Sequence, residues 1–297
     1  MAIGSVNPGY MGYATLSGVT NPIRFADANV TVRQEVNAPD LIMGHWDHNA
    51  YVYGPIEIGG TMSGPVTENF VGAGASLWDW ATNRGSSSGC GALTFKDLEL
   101  IYYCDRLSGS RKSRFFPDML VNSLTFSCAA ADIAQFSVDI MGAGQPTPPS
   151  WGTTGTNYTD EEKLVTWDKV SVAVTAGDQS IGTLNSECFS NFEFTINNNL
   201  EAVYAICSGS NYYPFDIVPG LRTLSGSLSV YNIPEVEGEA GYDGWAADQQ
   251  GTVTFDIAGD TFTFKVRFHR VEPASTVGPI ISTVAFTGVG HQASLDS

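Results

Sequence analysis

Phe262-Thr-Phe-Lys-Val-Arg-Phe-His269 alternates apolar and polar residues without a break, which puts Phe262, Phe264, Val266 and Phe268 on one face of an extended chain. A helix would scatter the same four side chains around its axis, so the stretch reads as a half-buried strand. Its hairpin partner is Thr252-Val-Thr-Phe-Asp-Ile257, reached across a turn at Ala258-Gly259-Asp260. The first half of the chain carries a similar hairpin, Leu124-Thr-Phe-Ser-Cys128 and Phe136-Ser-Val-Asp-Ile140 around Ala129 to Ala134. Sheets of this pattern have one dry face and one wet face. Only Ala75-Ser-Leu-Trp-Asp-Trp-Ala-Thr82 and Gly244-Trp-Ala-Ala-Asp-Gln249 read as helical, one short segment in each half. The expectation is an all-β protein.

The hairpins belong to a longer repetition. Residues 56–66 read Ile-Glu-Ile-Gly-Gly-Thr-Met-Ser-Gly-Pro-Val, and residues 217–230 read Ile-Val-Pro-Gly-Leu-Arg-Thr-Leu-Ser-Gly-Ser-Leu-Ser-Val. Both look like one strand-turn-strand unit, with a Gly turn, a Thr, and then Ser63-Gly64 or Ser225-Gly226. Upstream lie alternating strands, Val30-Thr31-Val32 and Phe192 to Ile196; downstream, Phe136 to Gly142 and Ile280 to Gly288 each stop at glycine. A duplicated β-domain is the mark of a building block.

A length of 297 residues suits roughly two domains. The expected organisation is a first β-domain over residues 1–144, a Pro/Gly/Thr-rich linker or long loop over 145–163, and a second β-domain over 164–297. The repeat is unequal, because Gly64 to Gly142 spans 78 residues and Gly226 to Gly288 spans 62, with extra sequence around Gly85 to Arg114.

Fourteen basic and 31 acidic residues give a net charge of −17, with −5 on residues 1–150 (8 minus 13) and −12 on residues 151–297 (6 minus 18). Such a chain does not seek nucleic acid electrostatically. Charged residues make up 15% of it, against about 25% in an average soluble protein, and Gly, Ser, Thr and Asn fill the difference. Scarce lysine is a trait of surfaces buried in protein contacts; the plainer reading is a secreted β-protein rich in Ser and Thr. The five cysteines, Cys90, Cys104, Cys128, Cys188 and Cys207, are odd in number and form no close pair, so buried free thiols are expected. Together with an N-terminus lacking a cationic start and an apolar run, this points to a reducing cytoplasm.

No constellation carries catalysis. In Gly44-His-Trp-Asp-His-Asn49 a strand would place His45 and Asp47 on one face and His48 on the other, so a turn packed by Trp46 reads better than a metal site. Val71-Gly-Ala-Gly-Ala75 lacks the lysine of a phosphate loop, and there is no Gly-x-Ser-x-Gly elbow. No cofactor and no metal are expected.

Two passages resemble bacteriophage tail tube proteins. One is Asp118-Met-Leu-Val-Asn-Ser-Leu-Thr-Phe-Ser-Cys128 turning through small residues into Phe136-Ser-Val-Asp-Ile-Met-Gly142. The other is Asn191-Phe-Glu-Phe-Thr-Ile-Asn-Asn-Asn-Leu200 followed by Pro219-Gly-Leu-Arg-Thr-Leu-Ser-Gly-Ser-Leu-Ser-Val230. They cover about a quarter of the chain, and the repeat extends the likeness across most of the rest. The resemblance implies two tandem β-sandwich or partly closed barrel domains, each with a short flanking helix. It further implies a structural, non-enzymatic virion protein that polymerises as stacked rings, in the host cytoplasm during assembly and then in the tail, around a channel for genome ejection. A chain with two tube domains needs three copies for a pseudo-sixfold ring, although a hexamer is also open. Partners are then the chain itself, other tail proteins and a sheath where the tail contracts, with DNA passing unbound and no membrane anchor.

Rings use heterologous contacts, and exposed strand edges supply them. An acidic wall repels the duplex, whereas a basic one would hold it through counterion release. The run Arg106 to Arg114 holds four of the fourteen basic residues, Arg106, Arg111, Lys112 and Arg114, and reads as a contact loop for an acidic neighbour, or more plainly as a solvated hairpin tip. The alternative from another class is a β-sandwich carbohydrate-binding protein or glycan hydrolase that uses its Trp and Tyr residues.

Overall fold

The computed structural model describes residues 12–16, 23–37, 52–68, 77–82, 93–103, 111–148, 150–152, 163–176, 179–184, 189–205, 212–231, 250–269 and 281–290. In chain order these form β1 (Gly12–Leu16), β2 (Ile23–Phe25), β3 (Asp27–Asn37), β4 (Val52–Pro65), α1 (Leu77–Thr82), β5 (Lys96–Tyr103), β6 (Arg111–Ala129), β7 (Gln135–Gly142) and β8 (Ser150–Gly152). After a 3-10 turn at Trp167–Lys169 follow β9 (Val170–Ala176), β10 (Gln179–Leu184), β11 (Phe189–Asn197), β12 (Leu200–Val203), β13 (Asp216–Pro219), β14 (Thr223–Tyr231), β15 (Gln250–Ile257), β16 (Asp260–Phe268) and β17 (Ile281–Gly288). Fifteen of these strands join one antiparallel sheet, and β12 and β13 pair as a separate ribbon. The all-β expectation holds.

Local chemistry explains the hairpins. Between β15 and β16 the ladder closes at Ile257 opposite Asp260, leaving a two-residue loop in which Ala258 (φ 56°) and Gly259 (φ 95°) are both left-handed. That is the turn whose twist matches the flanking strands, and Asp256 Oδ1 steadies it by accepting the Gly259 N–H at 3.0 Å. Beyond it Phe262, Phe264, Val266 and Phe268 are buried and the residues between them exposed. The β6–β7 hairpin pairs Phe126 with Phe136 and alternates in the same way.

The strand order occurs twice. In the first half the pairings run β3, β4, β7, β6, β5, β1, β2, and in the second they run β11, β14, β17, β16, β15, β9, β10. Each strand thus has a counterpart in the same place along the chain. Individual bonds match as well. Met119 faces Gly142 and Val266 faces Gly288. One step on, Ala143 N–H donates to Asp118 O and Val289 N–H donates to Lys265 O, both at 3.0 Å.

This pairing shifts the alignment suggested by the Ser-Gly motifs. Gly60 lies opposite Ile140 and Gly226 opposite Phe286, each two residues before the closing glycine, so Gly226 corresponds to Gly60 and not to Gly64. The physical reason is close approach. A Cβ on Gly60 would sit 1.9 Å from Asn29 O, and one on Gly226 would sit 2.6 Å from Glu193 O, at matching points of β3 and β11. The glycine turn expected at Gly59-Gly60 is also absent, because β4 runs straight through it. The second copy does break at Gly220, between β13 and β14.

Sheet and core run without interruption from one set of strands to the other. β11 pairs with Ser123–Ala129 of β6, and one cluster of buried residues includes Val30, Phe126, Phe194 and Phe264. Trp78 of α1, fully buried, meets Phe126, Phe194, Phe262 and Phe264 at ring-centroid distances of 4.3 to 6.3 Å. Part of the stretch expected as a linker is strand β8, paired with Arg111–Ser113 of β6. The helix read at Gly244 to Gln249 falls outside the described residues.

Candidate assembly surface

Alternation gives the joined sheet a second face, turned away from the core. Across β3, β4, β7, the C-terminal half of β6, β11, β14 and β17 it presents Thr31, Thr61, Ser137, Thr125, Thr195, Ser225, Ser227 and Thr283, among other small polar side chains. Hydroxyls pair across neighbouring strands, Thr125 with Thr195 at 2.8 Å and Ser229 with Thr283 at 2.9 Å. Its charged members include Asp27, Arg33, Glu35, Glu57, Asp139 and Glu193, so carboxylates outnumber the guanidinium. Such a surface offers a phosphate backbone hydroxyl dipoles and little positive charge. The same alternation that marks the buried residues in the sequence also marks these polar ones, at every second position.

The β12–β13 ribbon crosses one end of this face. Leu200 and Ile217 pack with Leu93, Leu120, Met141 and Ala143, and Tyr204 and Pro214 wall a cleft of about 560 Å³ over β3, β4 and β7. Tyr204 Oη donates to Ile56 O at 3.2 Å, and Ile56 N–H donates to Tyr212 O at 2.7 Å. Burial pushes the Tyr204 phenol upward, with Glu57 adding to it. On the ribbon's other side Val203 and Val218 alternate with exposed Glu201 and Asp216, and beside it Phe215 is 68% and Leu221 84% exposed.

A polar suture fixes the junction of the two strand sets. Buried Asn198, in the turn after β11, donates from Nδ2 to Ala81 O and to Val121 O, both at 2.9 Å, and accepts from Arg222 Nε at 2.9 Å. Arg222 also donates to Thr82 O at 3.2 Å, so a cation meets the last carbonyls of α1, where helix ends lack partners. Asn122 Oδ1 accepts the Leu200 N–H at 2.9 Å, while its Nδ2 donates to Asp139 at 2.7 Å. The Asn-Asn-Asn-Leu and Gly-Leu-Arg-Thr motifs are therefore joint residues. On the far side Lys169 is ion-paired with Glu68, whose carboxyl is held below its usual range chiefly by that hydrogen bond.

Several strand edges stay open among the described residues, those of β10 and β2 at the ends of the sheet and those of β3 and β17 within it. β3, eleven residues long, pairs only with β4. β17 meets β16 over Val266–Phe268 alone, and beyond the His269 N–H donated to Ala285 O its edge along Thr283 has no partner strand.

Of the basic run, Arg106 lies outside the described residues. Arg111, Lys112 and Arg114 lie on β6, with Arg111 and Lys112 between β5 and β8. The guanidinium of Arg114 sits 4.8 Å over the Phe116 ring. His45, Asp47 and His48 also lie outside the described residues, among which no three metal-capable side chains come together. Burial drives the Cys128 thiol up to about 11, with Asp132 adding to the effect.

A family model described as phage tail tube protein matches residues 7–288. No curated protein matches the chain.

Proposed function

We propose, since this chain belongs to the phage tail tube protein family, that three copies close into a ring and that such rings stack into the tube through which the genome leaves the particle. Membership makes the chain a structural protein of the virion tail; the ring, its copy number and the stacking are this reading's own. The observation that carries it is the doubled strand order joined through β6 and β11. Each copy brings two equivalent sheet units, so three copies bring six, and a ring closed by heterologous contacts needs one kind of junction repeated.

The hydroxyl-rich, weakly acidic face fits the channel wall, because it gives DNA nothing to hold. The exposed apolar side chains on and beside the β12–β13 ribbon, Phe215, Val218 and Leu221, fit the ring-to-ring contact, since they would leave water on stacking. The basic residues Arg111, Lys112 and Arg114 suit docking to an acidic neighbour, sheath included. Subunits fold in the host cytoplasm and join other tail proteins there, and the segments 1–144 and 164–297 act as the two tube units.

Electron microscopy of the purified chain tests this. Stacked rings with six similar lobes and three-chain symmetry are expected; a monodisperse monomer at all concentrations, or rings of six whole chains, would refute the trimeric arrangement.

A further inference from the structure

We infer that the two strand sets fold and unfold as one cooperative unit, with residues 163–169 of the second half serving as a latch without which the first half stays incomplete. This concerns the unassembled subunit and is independent of the ring reading above.

Along the chain the latch leads into the second half, yet it lies on the first. It runs between the end of β4 and the β6–β7 turn, with Leu164 opposite Thr67 and Thr166 opposite Ile133. Val165 N–H donates to Val66 O, and Val165 O accepts from Ala134 N–H, both at 2.9 Å, and these three residues are at most 2% exposed. Glu68 N–H donates to Lys163 O at 3.0 Å, and Trp167 N–H donates to Asp132 O at 3.1 Å. Lys169 reaches both ways. Its ammonium pairs with Glu68, and its carbonyl accepts from Ala258 N–H in the β15–β16 turn at 2.9 Å. Taking the segment away strips Ala134 N–H and Val66 O of their partners and opens the apolar side chains around them to water.

The core shows the same dependence in both directions. Leu124, Phe126 and Cys128 of β6 lie opposite Ile196, Phe194 and Phe192 of β11, all six buried, and the Phe126 and Phe194 rings stack at 5.4 Å. Trp78 of the first half meets Phe194, Phe262 and Phe264 of the second. Trp78 and Phe126 each bury roughly 150–250 Å², so a first half alone would present an apolar patch near the largest that a soluble monomer leaves open. In return, Asn198 of the second half has both acceptors of its Nδ2 group, Ala81 O and Val121 O, in the first.

Domains that fold alone keep their own core behind a boundary that few contacts cross. Sheet, core and hydrogen bonds all cross this one. Synthesis runs from the N-terminus, so a first half emerging from the ribosome stays unfinished until the latch and β11 follow it. Only a complete chain then yields a subunit fit for assembly.

Hydrogen exchange of the unassembled full chain tests this. Phe255→Ala acts directly on the second set, where its ring neighbours Phe192, Phe194, Phe264 and Phe286 lie. Leu98→Ala acts on the first, where Leu98 faces Leu16 and Phe116. In each variant the slowest-exchanging amides of β7 and of β16 should speed up by one common factor, about thirtyfold or more for truncating a fully buried side chain. Val165→Ala should move both sets together by a smaller factor. If an alanine variant does not fold, Phe255→Leu and Leu98→Val make the same comparison. A Phe255 variant that leaves the β7 amides at the parent rate, or a Leu98 variant that leaves those of β16 there, would overturn the single unit. A Val165 variant that speeds β16 and leaves β7 unchanged would overturn the latch.

Discussion

Removing the Asn198 side chain should loosen the joint between the two strand sets more than any other single polar change described above. Asn198 is 2% exposed and makes three hydrogen bonds, two from Nδ2 to the carbonyls of Ala81 and Val121 and one accepted from the Arg222 guanidinium. Two neutral bonds contribute about 1 kcal/mol each, and the charge-assisted bond about 2 kcal/mol, so Asn198→Ala should cost about 4 kcal/mol. At roughly 2 °C per kcal/mol for a chain of this size, the midpoint of thermal unfolding falls by about 8 °C. Differential scanning calorimetry and urea titration of unassembled protein measure it. Asn198→Asp is the sharper variant. It keeps the oxygen that faces Arg222 and replaces a double donor with an acceptor aimed at two carbonyl oxygens, so it should destabilise at neutral pH although its volume is unchanged. A loss below about 1 kcal/mol for Asn198→Ala, or an Asp variant as stable as the parent, would refute the suture. Arg222→Ala should couple to it, the double variant losing clearly less than the sum of the singles, because the two residues share one bond.

Trp78→Ala opens a cavity among Phe126, Phe194, Phe262 and Phe264 and should cost about 3–5 kcal/mol by urea unfolding, whereas Trp78→Phe should cost far less, since the indole Nε1 has no acceptor among the described residues. Gly226→Ala places a methyl 2.4 Å from Phe286 Cζ and 2.6 Å from Glu193 O; the backbone oxygen cannot retreat freely, and a loss of about 1–3 kcal/mol is expected in the same assay. Cys128 should resist alkylation at pH 8 until denaturant is added, as peptide mass spectrometry can show. With its folded value raised to about 11 from 9.0, its contribution to stability is fully present below pH 9 and is lost as pH rises through 11. Labelling of the folded chain at pH 8 at the rate of an exposed thiol would contradict that burial.

Alternation alone determined that Phe262, Phe264, Val266 and Phe268 share a buried face, because a strand's side chains point up and down by turns whatever surrounds them. The same rule made the hydroxyl face of Thr125, Thr195 and Ser225 readable in principle. Duplication was legible too, since Gly142 and Gly288 close equivalent strands. Its alignment was not: Ser63-Gly64 mimics Ser225-Gly226 in letters, while the ladder sets Gly226 against Gly60, where a carbonyl of the adjacent strand leaves no room for a Cβ. Nor did the sequence show that Asn198 and Arg222 hold the end of α1, or that β11 lies on β6. Those contacts join residues up to 140 positions apart, such as Arg222 and Thr82. Local periodicity carries no information about such partners; only the folded sheet, by bringing strands of one half against those of the other, decides which of them meet.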